Sequence, residues 1–388
     1  MTLTLDGDDL AACVSCGLCL PHCPTFRATG DEARSPRGRI TAMRLVVAGG
    51  SPMDAPFVDA METCIQCRGC EPACPSGVPF GRLMASTRAQ LAPHGIRRRV
   101  YRLLAVPALV RAASLVAAVG QRLRLVPSDR LGLPRRLPLR RPALAASGTD
   151  VWLFTGCVMD AWQRPVHVAA ARLIESTGNG VALPPRGAGC CGALADHAGA
   201  ADEARRRALA TMAAMPGDAP IVVDSAGCGA MLQHYGEAIA TDAARRFSAR
   251  VVDVSTWLTE HRDQLPPARP GHVRRTFAVQ DPCHLRHVQG AHGAVRTLLA
   301  PYADVTELDD DGLCCGAGGA FSIDQPELAD QVRTRKLASI ARSGAQAVVS
   351  ANPGCSVYLE RAGIEVHHPV VVAATAAGLV EGDATRGR

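Results

Sequence analysis

The sequence predicts an α/β protein: two successive units with parallel sheets, preceded by an α-helical module organised around cysteines. Three observations carry this. From Val151 onward, apolar β-branched runs alternate with alanine-rich helical stretches, the pattern of βα units. That half can be laid over itself. Val151 to Cys157, Cys190-Cys191-Gly192 and Ile221 to Cys228 are answered by Phe277 to Cys283, Cys314-Cys315-Gly316 and Val348 to Cys355. The offsets from Cys157 to Cys283, Cys190 to Cys314 and Cys228 to Cys355 are 126, 124 and 127 residues, which marks an internal duplication. Ahead of these units stand two cysteine runs of identical spacing, Cys13-x-x-Cys16-x-x-Cys19-x-x-x-Cys23-Pro24 and Cys64-x-x-Cys67-x-x-Cys70-x-x-x-Cys74-Pro75.

Three thiolates at i, i+3 and i+6 on a tight loop can bind three irons of a cubane, while a fourth cysteine, held off by proline, points elsewhere. In two-cluster bacterial ferredoxins with this spacing the fourth cysteine of each run ligates the other cluster. The expected assignment is one [4Fe–4S] cluster on Cys13, Cys16, Cys19 and Cys74, and a second on Cys64, Cys67, Cys70 and Cys23. Zinc ribbons lack the fixed fourth-cysteine proline. A disulfide framework would be unusual in a chain of 388 residues with no secretory context.

The chain is long enough for two or three cores. Its 47% hydrophobic and 20% charged content is that of a globular protein. Met1 to Leu10 lacks a basic n-region and an apolar h-region, so no signal peptide is expected, and reduced cytosol suits the sixteen cysteines. The net charge is +6, but twelve arginines and one acid, Asp129, fall between Arg97 and Arg141, leaving −5 for the remainder. Lys336 is the only lysine among 42 basic residues, read as a base-composition bias.

In chain order, Ser35-Pro36 starts a helix whose apolar side is Ile40, Met43, Leu45 and Val46, ended by Gly49-Gly50. Asp54 caps a short helix that leads into Cys64. Phe80, Leu83, Met84, Thr87 and Leu91 recur at helical spacing. Helices therefore separate the cysteine runs, where a minimal ferredoxin has strands. Residues 95–150 form the basic segment. Leu103 to Val119 spans 17 residues, interrupted by Pro107 and Arg111, short of the ~20 a membrane-spanning helix needs. The plainer expectation is a helical arm over the cysteine module, then a linker from Pro127 to Pro142; an interfacial or partner-docking helix is the alternative. The arginine stretch has only Tyr101 for base stacking, so no nucleic-acid partner is expected.

In each repeat the first and last cysteines follow an apolar strand and precede a helical stretch, which places them at the carboxyl edge of a parallel sheet. Adjacent cysteines in a glycine-rich loop can grip two irons of one cluster. Cys157, Cys190, Cys191 and Cys228, and Cys283, Cys314, Cys315 and Cys355, are candidate ligands for a further iron–sulfur cluster or a zinc ion, and inert buried thiols are the alternative. His284 and His287 are expected to hydrogen-bond their neighbours. Arg34, Arg37 and Arg39 are expected at the surface, the alternative being to offset cluster charge.

The module of the two cysteine runs, 1–94, resembles the α-helical ferredoxin module of succinate dehydrogenase iron–sulfur subunits, and each repeat resembles the cysteine-rich CCG domain of heterodisulfide reductase subunits. The fuller CCG motif ends in Cys-x-x-Cys, but Met231 and Tyr358 stand at the last position here. That departure argues against the five-cysteine clusters that reduce disulfides. With both halves together, Cys13 to Thr25, Gly30-Asp31-Glu32, Ser35-Pro36-Arg37-Gly38-Arg39-Ile40, Cys74-Pro75-Ser76-Gly77-Val78 and the two CCG copies, the chain is similar to the iron–sulfur subunits of bacterial glycolate oxidases. The resemblance implies an electron-transfer subunit of a glycolate dehydrogenase, not active alone and with no catalytic residue of its own. It implies an FAD-containing partner subunit and a quinone or other acceptor, with a location in the cytoplasm or peripheral on the inner face of the membrane. Similar subunits serve lactate and glycerol-3-phosphate oxidation, and a heterodisulfide reductase-like role is the third alternative. No glycine-rich dinucleotide-binding βαβ fingerprint is read in the chain, so a flavin is expected on a separate subunit. The expected domains are 1–94, 95–150, 151–270 and 271–388.

Overall fold

The computed structural model describes residues 3–91, 103, 106–128, 131–185 and 189–381. Arg97, Arg98, Arg99, Arg102 and Arg130 of the basic segment lie outside them.

The N-terminal module is helical, as its caps dictate. The Asp6 carboxylate accepts from the Asp8 and Asp9 N–H groups to start α1 (Gly7–Ala11), and α2 (Pro24–Thr29) opens on the proline after Cys23. Ser35 caps α3 (Pro36–Val47) and Asp54 caps α4 (Ala55–Glu62); α5 is Phe80–Leu91. Ile40, Met43, Val46, Phe57, Met61, Leu83 and Met84 form its core. Leu45 departs from the expected apolar side: two residues past Met43 it is turned about 200° round the helix and is 51% exposed.

Helix α6 (Pro107–Arg122) does not lie over that module. It packs against α7 (Val158–Trp162) of the first α/β unit, where the Trp162 indole N–H donates to Ser114 Oγ at 2.9 Å.

The first unit runs β1 (Val151–Phe154), α7, α8 (Arg164–Ser176), β2 (Val181–Ala182), α9 (Ala193–His197), α10 (Ala201–Ala214), β3 (Ile221–Val223), α11 (Ala226–Ile239), α12 (Asp242–Ala249), β4 (Val251–Asp253) and α13 (Val254–Glu260). The second runs β5 (Thr276–Val279), α14 (Cys283–His287), α15 (His292–Leu299), β6 (Asp304–Glu307), α16 (Phe321–Asp324), α17 (Pro326–Arg342), β7 (Ala347–Val349), α18 (Pro353–Glu360), β8 (Val366–His367) and α19 (Pro369–Ala376). The sheets are parallel and share one topology, β2-β1-β3-β4 and β6-β5-β7-β8. In this order the chain reverses its direction of winding between β1 and β3, and again between β5 and β7. Such switch points open a crevice at the carboxyl edge of a parallel sheet.

The two units share one of their cores. Val370, Val371, Ala373 and Ala374 of α19 are buried in one cluster with Ala169, Ala170 and Leu173 of α8. The last helix of the second repeat thus covers the first sheet. The units also join at their crevices, where the Ala226 N–H donates to the Ala351 carbonyl at 3.0 Å.

Candidate metal centres

Each cysteine run wraps its loop in the same way. Ser15 and Gly17 in the first run, and Gln66 and Arg68 at the equivalent places in the second, all have φ between 59° and 85°. Three of these four are not glycine, a conformation that costs free energy and persists only where the surroundings impose it. Cys13, Cys16, Cys19 and Cys74 line one cavity, and Cys70 lines it as well. Cys64, Cys67, Cys70 and Cys23 line a second. The fourth cysteine of each run has therefore crossed to the other run's cavity. No carboxylate or lysine lines either one, and four sulfurs facing a void fit a cubane's donor set. Burial pushes the Cys19, Cys67 and Cys70 thiols up, and the charge of Cys283 adds to the shift at Cys67.

The second cavity is the inner one. Cys67 and Ile65 pack in one apolar cluster with Cys283, Cys314, Cys315 and Cys355. His284 Nε2 meets the Gln66 carbonyl at 3.0 Å, so this histidine bonds the cysteine loop as expected, and burial lowers its pKa. The Gln66 side-chain amide donates to the His197 carbonyl at 2.9 Å, reaching the first unit as well. The first cavity is the outer one: Cys16 is exposed, and Val14 and Leu18 beside it are 68% and 56% exposed.

The three arginines after the first run part ways. Arg34 pairs with Asp31 and Asp59, and Arg37 with Glu32 while donating to the Ser15 carbonyl. Arg39, expected at the surface, is 1% exposed. Its guanidinium donates to the Ala60 carbonyl at 2.7 Å and to the Thr25 and Thr63 hydroxyls, lines the second cavity, and makes no ion pair among the described residues. A buried cation with only neutral acceptors is expensive unless a negative group lies nearby. An all-thiolate cluster in the adjoining cavity is such a group.

In the α/β units, Cys157 follows β1 and Cys228 lies in the first turn of α11 after β3, so both singles stand at the switch point, and Cys283 and Cys355 repeat this after β5 and β7. The doublets reach the same crevices because the glycine after each is left-handed, Gly192 at φ 86° and Gly316 at φ 93°. A Cβ there would come 3.1 Å from the Ala204 carbonyl and 2.6 Å from that of Ala329, which explains the third letter of the Cys-Cys-Gly triplet. The Cys191 and Cys228 sulfurs are 3.3 Å apart. A hydrogen bond from Cys157 takes Cys190 down to about 7, and the same bond, with burial adding to it, raises Cys157 well above the thiol range. In the second unit, bonds from Cys314 and Cys355 hold Cys315 well below that range, with Lys336 contributing. Among the described residues no three His, Cys, Asp or Glu side chains surround a single ion-sized point. Met231 and Tyr358, at the places of the fuller motif's last cysteine, are 7% and 5% exposed and fill that space with apolar bulk.

Two features escaped the sequence reading. Lys336, read as compositional chance, is 2% exposed and pairs with Asp310 at 2.5 Å. Its signal was its uniqueness in an arginine-rich chain. Asn352 joins the quartets: its Oδ1 accepts from the Gly227 N–H at 3.1 Å, next to Cys228, and its Nδ2 donates to Cys355 Sγ at 3.5 Å.

Beneath the first crevice lies a buried polar group of His167, Asp224, Asp253 and His368, with His167 Nδ1 2.5 Å from Asp224 Oδ2. Asp253 caps α13 through the Ser255 N–H at 2.8 Å. Burial pushes its pKa up to about 7, and the charge of Asp224 adds to this. The folded protein keeps a proton that the unfolded chain releases near pH 4, so stability falls as pH rises from about 4 to about 7 and then levels. A rise from 3.8 to about 7 corresponds to roughly 4 kcal/mol. Asp253→Asn, which keeps the cap, should flatten that slope and raise the urea midpoint at pH 8 with little change at pH 4. An unchanged slope would show that Asp253 is ionised when folded.

Fold and site together define an iron–sulfur protein. The model of the 4Fe-4S dicluster domain matches residues 9–78, and that of the cysteine-rich domain matches 151–233 and 277–360. The chain is 30% identical to the glycolate oxidase iron-sulfur subunit of Escherichia coli (strain K12), over 91% of this chain and 90% of that protein. It is 29% identical to the probable glycolate oxidase iron-sulfur subunit of Bacillus subtilis (strain 168), over 93% and 90%. It is also 25% identical to one of the subunits of the dihydromethanophenazine:CoB–CoM heterodisulfide reductase of Methanosarcina barkeri, over 89% and 87%. The chain belongs to the family of glycolate oxidase iron–sulfur subunits, electron-transfer subunits of oxidoreductases.

Proposed function

We propose that this chain is the electron-carrying subunit of a glycolate dehydrogenase complex. In this reading Cys13, Cys16, Cys19 and Cys74 hold one [4Fe–4S] cluster and Cys64, Cys67, Cys70 and Cys23 the other. The observation that carries it is the exchange of Cys23 and Cys74 between two cavities, one opening to solvent and the other packed on the α/β units. When bound, the clusters supply one-electron carriers, and in this reading the flavin belongs to the partner subunit.

The residues form a graded path. Val14 and Leu18 present an exposed apolar rim at Cys16, suited to a flavoprotein subunit. Cys67, Ile65 and Cys283 exclude water between the inner cavity and the second crevice, and Asn352 leads on to the first. From there a quinone is the acceptor, with the protein peripheral on the membrane. In this scheme the CCG quartets are the candidates for a further cluster, and Met231 and Tyr358 leave no fifth cysteine for disulfide chemistry. Among the described residues no helix is long and apolar enough to cross a membrane.

Purified alone, the chain should oxidise nothing. Co-expressed with an FAD-containing subunit it should co-purify and support glycolate-dependent dye reduction. An assembly that reduces dye with lactate or glycerol 3-phosphate and ignores glycolate would show the substrate to be wrong. Reduction of a heterodisulfide by the isolated chain, abolished by Cys191→Ala, would move it to the thiol-reductase class.

A further inference from the structure

Of the sixteen large hydrophobic side chains exposed among the described residues, nine lie between residues 103 and 139. On α6 they make one face. Buried Pro107, Val110 and Ala118 look inward, whereas Ala108, Leu109, Ala112, Ala113, Leu115, Val116, Val119 and Leu123 are all exposed, Val116 by 73%. At 100° per residue this outer face is aliphatic from edge to edge. Arg111 and Arg122, eleven residues and three turns apart, line up along its border.

The N-terminal end of the helix opens on a cavity of about 200 Å³, lined by Pro107, Arg111, Arg141, Arg164, Thr155 and Asp160 among others. Three guanidinium groups converge there on one buried carboxylate: Arg141 and Arg164 bond Asp160, and Arg111 stands 3.8 Å from it. The local balance is two positive charges in excess. Gly156 and Gly189 line the same cavity, so it adjoins Cys157 and Cys190 at the carboxyl edge of β1.

We propose that the outer face of α6 and this arginine cavity together dock on anionic phospholipid. The acyl region takes Leu109, Leu115, Val116, Val119 and Leu123, and the headgroup phosphate takes guanidinium N–H groups of Arg111, Arg141 and Arg164. Two arguments favour lipid over a protein partner. Protein interfaces enrich aromatic residues and methionine, and this face has neither. An aliphatic face bordered by arginine, with twelve arginines against one acid between Arg97 and Arg141, is complementary to a negatively charged bilayer surface. Sixteen residues rise only about 24 Å, so the helix lies in the interface and does not cross it.

The inference rests on the proposed electron transfer to a membrane quinone and locates its exit beside the Cys157 quartet. Vesicles without quinone separate the two. The full-length, cluster-loaded protein is floated with phosphatidylcholine vesicles, with and without phosphatidylglycerol. Wild type should float with the anionic vesicles. Leu115→Glu with Val116→Glu should lower the bound fraction at least about tenfold, with iron content and visible spectrum unchanged because both side chains are exposed. Arg111→Gln with Arg141→Gln should abolish the preference for phosphatidylglycerol. Wild type that ignores anionic vesicles, or a glutamate variant that binds them equally, overturns the proposal. So does a glutamate variant that floats normally but loses its flavin subunit, since the face would then be a protein interface. Glycolate-dependent dye reduction, measured separately in solution, decides the electron-transfer reading.

Discussion

Cys23→Ser should empty the cluster site of Cys64, Cys67 and Cys70 and leave that of Cys13, Cys16 and Cys19 filled. Iron bound by the module should fall from about eight to about four atoms, and one of two reduced-state EPR signals should vanish. The result is counter-intuitive from the sequence, because Cys23 belongs to the first run. Cys23 lines the second cavity beside Cys64, Cys67 and Cys70, with its sulfur 3.3 Å from Thr25 Oγ1. Cys74→Ser should produce the mirror image. Loss of both clusters in Cys23→Ser would be ambiguous alone, so the paired variant decides: two different surviving signals establish the exchange, and loss confined to the parent run in each refutes it.

Arg39→Met should lower the reduction potential of the inner cluster. Removing a buried positive charge from the wall of the inner cavity should shift a one-electron couple by on the order of tens of millivolts. The outer cluster should change far less. Redox titration followed by EPR reads both signals in one sample. Arg39→Lys keeps the charge and loses the planar fork to Ala60, Thr25 and Thr63, so a potential near wild type would separate charge from packing. The metal-free protein should respond oppositely, since its buried cation has no counter-charge: Arg39→Met should unfold at higher urea than the wild-type apoprotein. An unchanged potential in Arg39→Met would mean that the guanidinium serves only the carbonyl and hydroxyls it touches.

The fold class was readable because its signals are local. Strand and helix periodicity, the helix starts at Ser35 and Asp54, and the repeat offsets each depend on a few neighbouring residues, and all reappear in the structure. The cysteine loops were readable for the same reason. What sequence missed is non-local. Arg39 looks like its neighbours Arg34 and Arg37 in a basic, turn-rich stretch, and only the packing of α3 on α4 buries it. Lys336 sits four residues after Val332 on the inner side of α17, where burial depends on the Asp310 loop of the same repeat packing against it. The basic arm had the composition of a solvated segment, yet α6 rests on α7 through Trp162, a residue more than forty positions later.

The covering of the first sheet by α19 separates the order of synthesis from the order of folding. A growing chain normally completes its N-terminal domain while the rest is still being made. Here Ala169, Ala170 and Leu173 leave the ribosome long before Val370, Val371, Ala373 and Ala374, and α8 stays bare on one side until the last helix emerges. The cysteines of the first crevice are thus held in an unfinished unit during translation, with contacts about 200 residues apart in the sequence closing last. A nascent chain stalled before Pro369 should present the first repeat's apolar helix face to chaperones.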